Sequence, residues 1–155
     1  MAEVTITRTV PAAAVPTTAV HALSERIGGV TIGSVRIVVG FLFACHGFQK
    51  LFGAFGKAPV PIGAWPSFYA GAIELVAGTL IAIGLFTRPA AVLCSGTMAY
   101  AYFTVHQAAG LLPLQNKGEL AAVYCWAFLL IAAVGPGSMA VDTVRRARAA
   151  RARTT

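Results

Sequence analysis

Apolar residues gather into four long blocks, 31–53, 67–86, 90–112 and 119–134, with polar residues concentrated between and around them. A bilayer core needs about 20 residues of helix at 1.5 Å each. The first three blocks meet that length and the fourth falls slightly short. The prolines (Pro11, Pro16, Pro59, Pro61, Pro66, Pro89, Pro113 and Pro136) all stand outside the blocks. Helices require this, because an interior proline deletes a hydrogen bond and collides with the preceding turn. Gly135-Pro136-Gly137 gives the last block a firm stop. The pattern predicts an all-α chain: an integral membrane four-helix bundle with spans at those positions.

Composition agrees. Hydrophobic residues make up 57% of the 155 residues and charged residues 11%, against about 25% charged in a soluble domain. Residues 1–30, rich in Ala, Pro, Thr and Val, read as a mobile N-terminal arm in which His21 to Arg26 could form a short surface helix. This arm lacks the positive-then-apolar pattern of a secretory signal. The membrane domain covers 31–144, and 145–155 forms a basic tail.

Lys and Arg set the orientation. With both termini cytoplasmic, Arg8, Arg26, Arg36, Arg88, Arg145, Arg146, Arg148, Arg151 and Arg153 lie inside, and only Lys50, Lys57 and Lys117 lie outside. The tail is then placed to attract anionic lipid headgroups, at about 1 kcal/mol per basic residue. It has neither the aromatic interleaving nor the folded basic module expected of a nucleic-acid binder.

A charge in hydrocarbon costs at least about 2.5 kcal/mol, so each intramembrane polar residue needs a reason. His46, Lys50, Glu74, His106 and Glu119 come from all four blocks, yet each falls within about 10 Å of the outer interface. One shared polar cluster is the economical arrangement. At 3.6 residues per turn Arg36, His46 and Lys50 share a face of the first helix with Gly40 and Gly47, which would admit a close neighbour. A second set, Arg36, Arg88 and Asp142, lies toward the inner face, and an Arg36–Asp142 pair reads as a structural clamp. Three cysteines without a Cys-x-x-Cys pair exclude a dithiol motif.

The chain resembles the DoxX family of small bacterial membrane proteins across about residues 30–144. The likeness is carried by RIVVGFLFACHGFQKLFG, IELVAGTLIAIGLFTRPAA, the His106 block and GELAAVYCWAFLLIAAVGPGSMAVD. Its landmarks are Arg36, His46-Gly47, Lys50, Glu74, Gly84, Arg88, His106, Glu119, Gly135 and Asp142. The resemblance implies a multi-pass protein of the bacterial inner membrane linked to redox metabolism. Family relatives serve thiosulfate:quinone oxidoreductase or quinol oxidase systems, or a membrane complex with superoxide dismutase and a sulfurtransferase. For this chain it implies an accessory subunit of a quinone- or thiol/sulfur-linked complex acting in oxidative stress, with redox proteins as partners. A fold alone does not establish catalysis.

Three readings of the outer cluster compete. His46, Lys50, Glu74 and His106 could line a pocket for a quinone or another polar-headed lipophile, with histidine suited to moving its protons. They could instead form a hydrogen-bonded network that braces the bundle of a non-enzymatic scaffold or assembly factor. Two His and a carboxylate could also bind a metal or haem. The last is weakest, because no paired ligands share a helix and Lys50 would repel a cation. A homo-oligomer is compatible with all three.

Overall fold

A computed structural model describes residues 17–153, which form six α-helices without strands. Helix α1, Thr17–Phe52, starts after Pro16 and runs 36 residues without a break. It therefore takes in residues 17–30, which sequence reasoning assigned to a mobile arm; residues 1–16 of that arm lie outside the described residues. Gly28-Gly29 costs the helix about 1 kcal/mol per glycine but does not end it. Beside this pair the helix is tied down: the Ser138 backbone N–H and hydroxyl both donate to the Gly29 carbonyl, at 2.8 and 2.9 Å.

Helix α2, Ser67–Ile83, stops short of residue 86 because Gly84 adopts a left-handed φ of 74°. There its N–H closes back on Leu80 and Ile81. Helix α3 spans Thr87–Ala101, with Pro89 tolerated in its first turn. A π-helical turn, Tyr102–His106, and a 3-10 turn, Gln107–Ala109, follow before the chain breaks at Gly110. The third block thus begins and ends about three residues earlier than predicted. A four-residue helix α4, Pro113–Asn116, leads into α5, Glu119–Val134, whose bounds are those of the fourth block. The basic tail is largely helical too, as α6, Val141–Ala152.

Helix α1 packs along α2, α2 on α3 and α3 on α5, and α5 returns to touch α1. The centre draws on all four, with Phe43, Ile81, Cys94, Phe128 and Ile131 buried together. Phe43 meets Phe128 edge-on at 4.7 Å and Tyr124 at 5.2 Å. The α1–α2 seam is backbone against backbone. A Cβ on Gly40 would lie 2.6 Å from the Ala82 nitrogen, and one on Gly78 would lie 2.8 Å from that of Ala44. One turn-pair further along, Gly47 faces Gly71 and Leu75 in the same way. Small residues at a seven-residue interval permit this approach.

The exterior is apolar. Phe41, Val76, Val92, Val123, Trp126 and Leu130 are all more than half exposed, an area far beyond the scattered patches of a soluble monomer. Among the described residues, α1 alone is long and apolar enough, by length and composition, to cross a membrane; α2 and α5 are apolar but shorter.

Candidate functional site

At one end of the helices Arg36 is fully buried, but its partner is not the predicted one. The guanidinium donates to four carbonyls: Pro136 at 2.9 Å, Ile81 at 2.5 Å, Ala82 at 2.6 Å and Met139 at 3.1 Å. It thereby caps the last turn of α2 and holds the loop between α5 and α6 against it. The carbonyl end of a helix carries partial negative charge, so the cation fits there without a direct ion pair, and Asp142 adds only a through-space attraction.

Asp142 serves the neighbouring helix end. Its carboxylate accepts from the N–H groups of Phe86 and Thr87, at 3.1 and 2.9 Å, and from the Thr87 hydroxyl at 3.0 Å. These contacts cap the start of α3 across the tertiary fold. Desolvation works to raise the Asp142 pKa, but the Thr87 and Phe86 hydrogen bonds and the Arg146 charge outweigh it and hold the carboxyl below its ordinary value. Arg88 is exposed and makes only a 3.5 Å contact with the Val134 carbonyl. The expected Arg36–Asp142 clamp is thus two separate caps at one junction, with Arg88 beside them.

At the opposite end His46, Lys50, Glu74 and His106 line one cavity of about 220 Å³, together with Met98, Lys117 and Tyr124. Position along each helix and a shared face bring them together, as the sequence suggested. Lys50 donates to Glu74 Oε1 at 2.5 Å, joining α1 to α2. The lysine side chain is 35% exposed and the glutamate 2%, so the cation reaches toward the outside while the anion stays within. Glu74 Oε2 is buried without a hydrogen-bond partner. A buried acceptor left this way costs about 1–3 kcal/mol.

His46 sets its ring edge-on to Tyr124, with centroids 5.9 Å apart. His106 closes the π-helical turn, and its Nδ1 lies 3.1 Å from the Asn116 carbonyl. π-Turns commonly mark functional sites, because one extra residue re-aims a side chain. Buried Asn116 shapes the segment beneath: its amide donates to the Gly110 carbonyl at 2.8 Å, and its oxygen accepts from Gly118 N–H at 2.7 Å.

Glu119 does not join the cluster. It is exposed at the start of α5, about 140° around the helix from Tyr124. Tyr124 occupies the α5 position instead. Its period with Ala121 and Phe128 on the buried face of α5 was the available signal. Among the described residues, no three His, Cys, Asp or Glu side chains converge to hold a metal ion. The three cysteines are free thiols.

The DoxX family profile matches residues 31–107. A Haemophilus influenzae relative is 39% identical over 118 residues, covering 70% of this chain and 85% of the relative. The chain belongs to the DoxX family. The matched region holds Arg36, Arg88 and the cavity residues His46, Lys50, Glu74, Met98 and His106 among others. A Mycobacterium tuberculosis relative, named as an uncharacterized membrane protein, is 35% identical over 65 residues, or 37% of this chain and 40% of that one. CatD of Bacillus subtilis, whose name proposes an oxidoreductase without establishing one, is 29% identical over 114 residues, covering 70% and 81%. No solved structure matches the chain significantly. Family, relatives and apolar exterior together make this DoxX protein a membrane protein.

Proposed function

We propose that this DoxX protein is an accessory subunit of a redox complex in the bacterial inner membrane, binding a polar-headed lipophile, such as a quinone in its hydroxyl-bearing quinol form, in the outer cavity. The observation that carries the reading is Glu74. It is almost wholly buried, ion-paired through one oxygen and unpartnered at the other, in a cavity that two histidines and a tyrosine also line. Such a carboxylate is a hydrogen-bond acceptor without a protein donor. His46 and His106 stand beside it, each imidazole offering a hydrogen-bonding nitrogen to a polar head. The name of the Bacillus subtilis relative supports the redox assignment.

In this reading α1, α2, α3 with its following turns, and α5 are four membrane spans, and both termini are cytoplasmic. Arg36, Arg88 and the arginines of α6 gather at one end and Lys50 and Lys117 at the other, as the positive-inside rule asks. Helix α6 then meets anionic headgroups. Cysteine introduced in the 54–66 loop is expected to react with an impermeant maleimide added to whole cells, above the wild-type background, and one introduced after Arg148 is not. The reverse pattern would overturn the orientation.

The experiment on function is purification in mild detergent, followed by mass spectrometry of extracted lipophiles and co-purifying proteins. About one lipophile per chain and a redox partner are expected. A second reading is favoured by the Lys50–Glu74 pair itself, which ties α1 to α2 and could serve a scaffold or assembly factor as a brace. A lipid-free but stable protein would leave that reading standing and remove the first.

A further inference from the structure

One side chain borders both the outer cavity and a groove on the outside of α1. His46 lines the cavity and also a shallow groove of about 310 Å³ formed by Leu42, Cys45, Gln49 and Phe55. This groove lies on α1 away from the Gly40–Gly47 seam, where Leu42 and Phe55 are 47% and 71% exposed. Among the described residues, larger apolar grooves lie between α2 and α3 and between α3 and α5, and these share no lining residue with the cavity. His46 is held there by an aromatic edge contact with Tyr124 rather than by backbone. Rotamer changes of such a side chain are fast on the scale of ligand exchange.

Size limits what the cavity can take. A cavity of about 220 Å³ takes one substituted ring, and a ring carrying a long alkyl tail overfills it. Resting on the pocket reading above, we infer that the ligand is an amphiphile with a hydroxylated ring head and an apolar tail. The head donates to Glu74 Oε2, and the tail leaves past His46 along the α1 groove into the outer leaflet. The donor requirement follows from the acceptor: Lys50 already occupies Oε1, and Oε2 has no donor from the protein. His46 is a positioning residue, setting the passage between head site and tail groove.

The native cysteines report on this route. Cys45 lines the tail groove, while Cys125 lines the separate α3–α5 groove and contacts the Ser95 hydroxyl at 3.4 Å. The probes are 4-nonylphenol and its methyl ether, 4-nonylanisole, added to the full chain in lipid nanodiscs. Retained probe is measured by mass spectrometry, and N-ethylmaleimide alkylation of each cysteine by peptide mapping. The phenol is expected to be retained, to slow alkylation of Cys45 and not of Cys125, and to bind about tenfold more tightly than the ether, the worth of one hydrogen bond to a buried acceptor. In Glu74→Gln the amide oxygen would face Lys50 and the NH2 group the ligand, so the phenol loses its advantage. Retention with Cys45 alkylated at the unliganded rate, or with phenol and ether equivalent, would overturn this inference and leave the pocket. Retention of neither probe would overturn both.

Discussion

Replacing Arg36 with leucine is expected to cost the protein about 3–5 kcal/mol, enough to remove most of it from the membrane. Four carbonyls from two segments, Ile81, Ala82, Pro136 and Met139, would lose their donor at a fully buried position. Arg36→Lys should rescue little, because a single ammonium cannot span acceptors that a planar guanidinium reaches from several nitrogens. Melting in detergent and abundance in membranes both report this, with Arg148→Ala in exposed α6 as a control shifting stability by less than about 0.5 kcal/mol. The Arg36→Leu and Asp142→Asn double variant should show a coupling below about 1 kcal/mol. A coupling of several kcal/mol would restore the direct ion pair.

The second large effect is expected at Gly47. A methyl group there would overlap the Leu75 backbone nitrogen and come 2.6 Å from the Gly71 carbonyl. Neither is the end of a flexible side chain, so α1 and α2 must separate. Gly47→Ala should cost about 2–3 kcal/mol and Gly47→Leu more. Gly28→Ala provides the contrast within the same helix. Nothing lies within 4 Å of a Cβ there, so alanine should be neutral or stabilise by up to about 1 kcal/mol. Equal melting temperatures for Gly47→Ala and Gly28→Ala would refute the tight α1–α2 seam.

Much of this architecture is legible in the chain itself. The bounds of α5 follow from Gly118 and Gly135 flanking an unbroken apolar run, and Gly40 and Gly47 announce a close helix contact. The four cavity residues emerge from counting depth along separate helices. What stays hidden has a common physical cause: sequence shows side chains, and several decisive partners here are backbone. Arg36 invites a search for an acid, yet its acceptors are carbonyls exposed only because α2 and α5 both end nearby. Asp142, likewise, caps N–H groups of α3. Glu119 has the right depth and the wrong rotation, since helix entry fixes height but not facing. The π-helical turn at Tyr102–His106 shifts the helical phase, and no periodicity within five residues reveals it.

The central claim is that the outer cluster binds a ligand rather than merely bracing the helices, and Glu74→Gln tests it most directly. The amide keeps shape and leaves Lys50 a neutral acceptor, and Lys50, 35% exposed, can also turn its ammonium toward water. Bound lipophile per chain and melting temperature are measured side by side on wild-type and variant protein, purified identically. The pocket account predicts a melting temperature within about 3 °C of wild type and loss of the lipophile. A variant that melts well below wild type while keeping its lipophile, or one that keeps both, would contradict it.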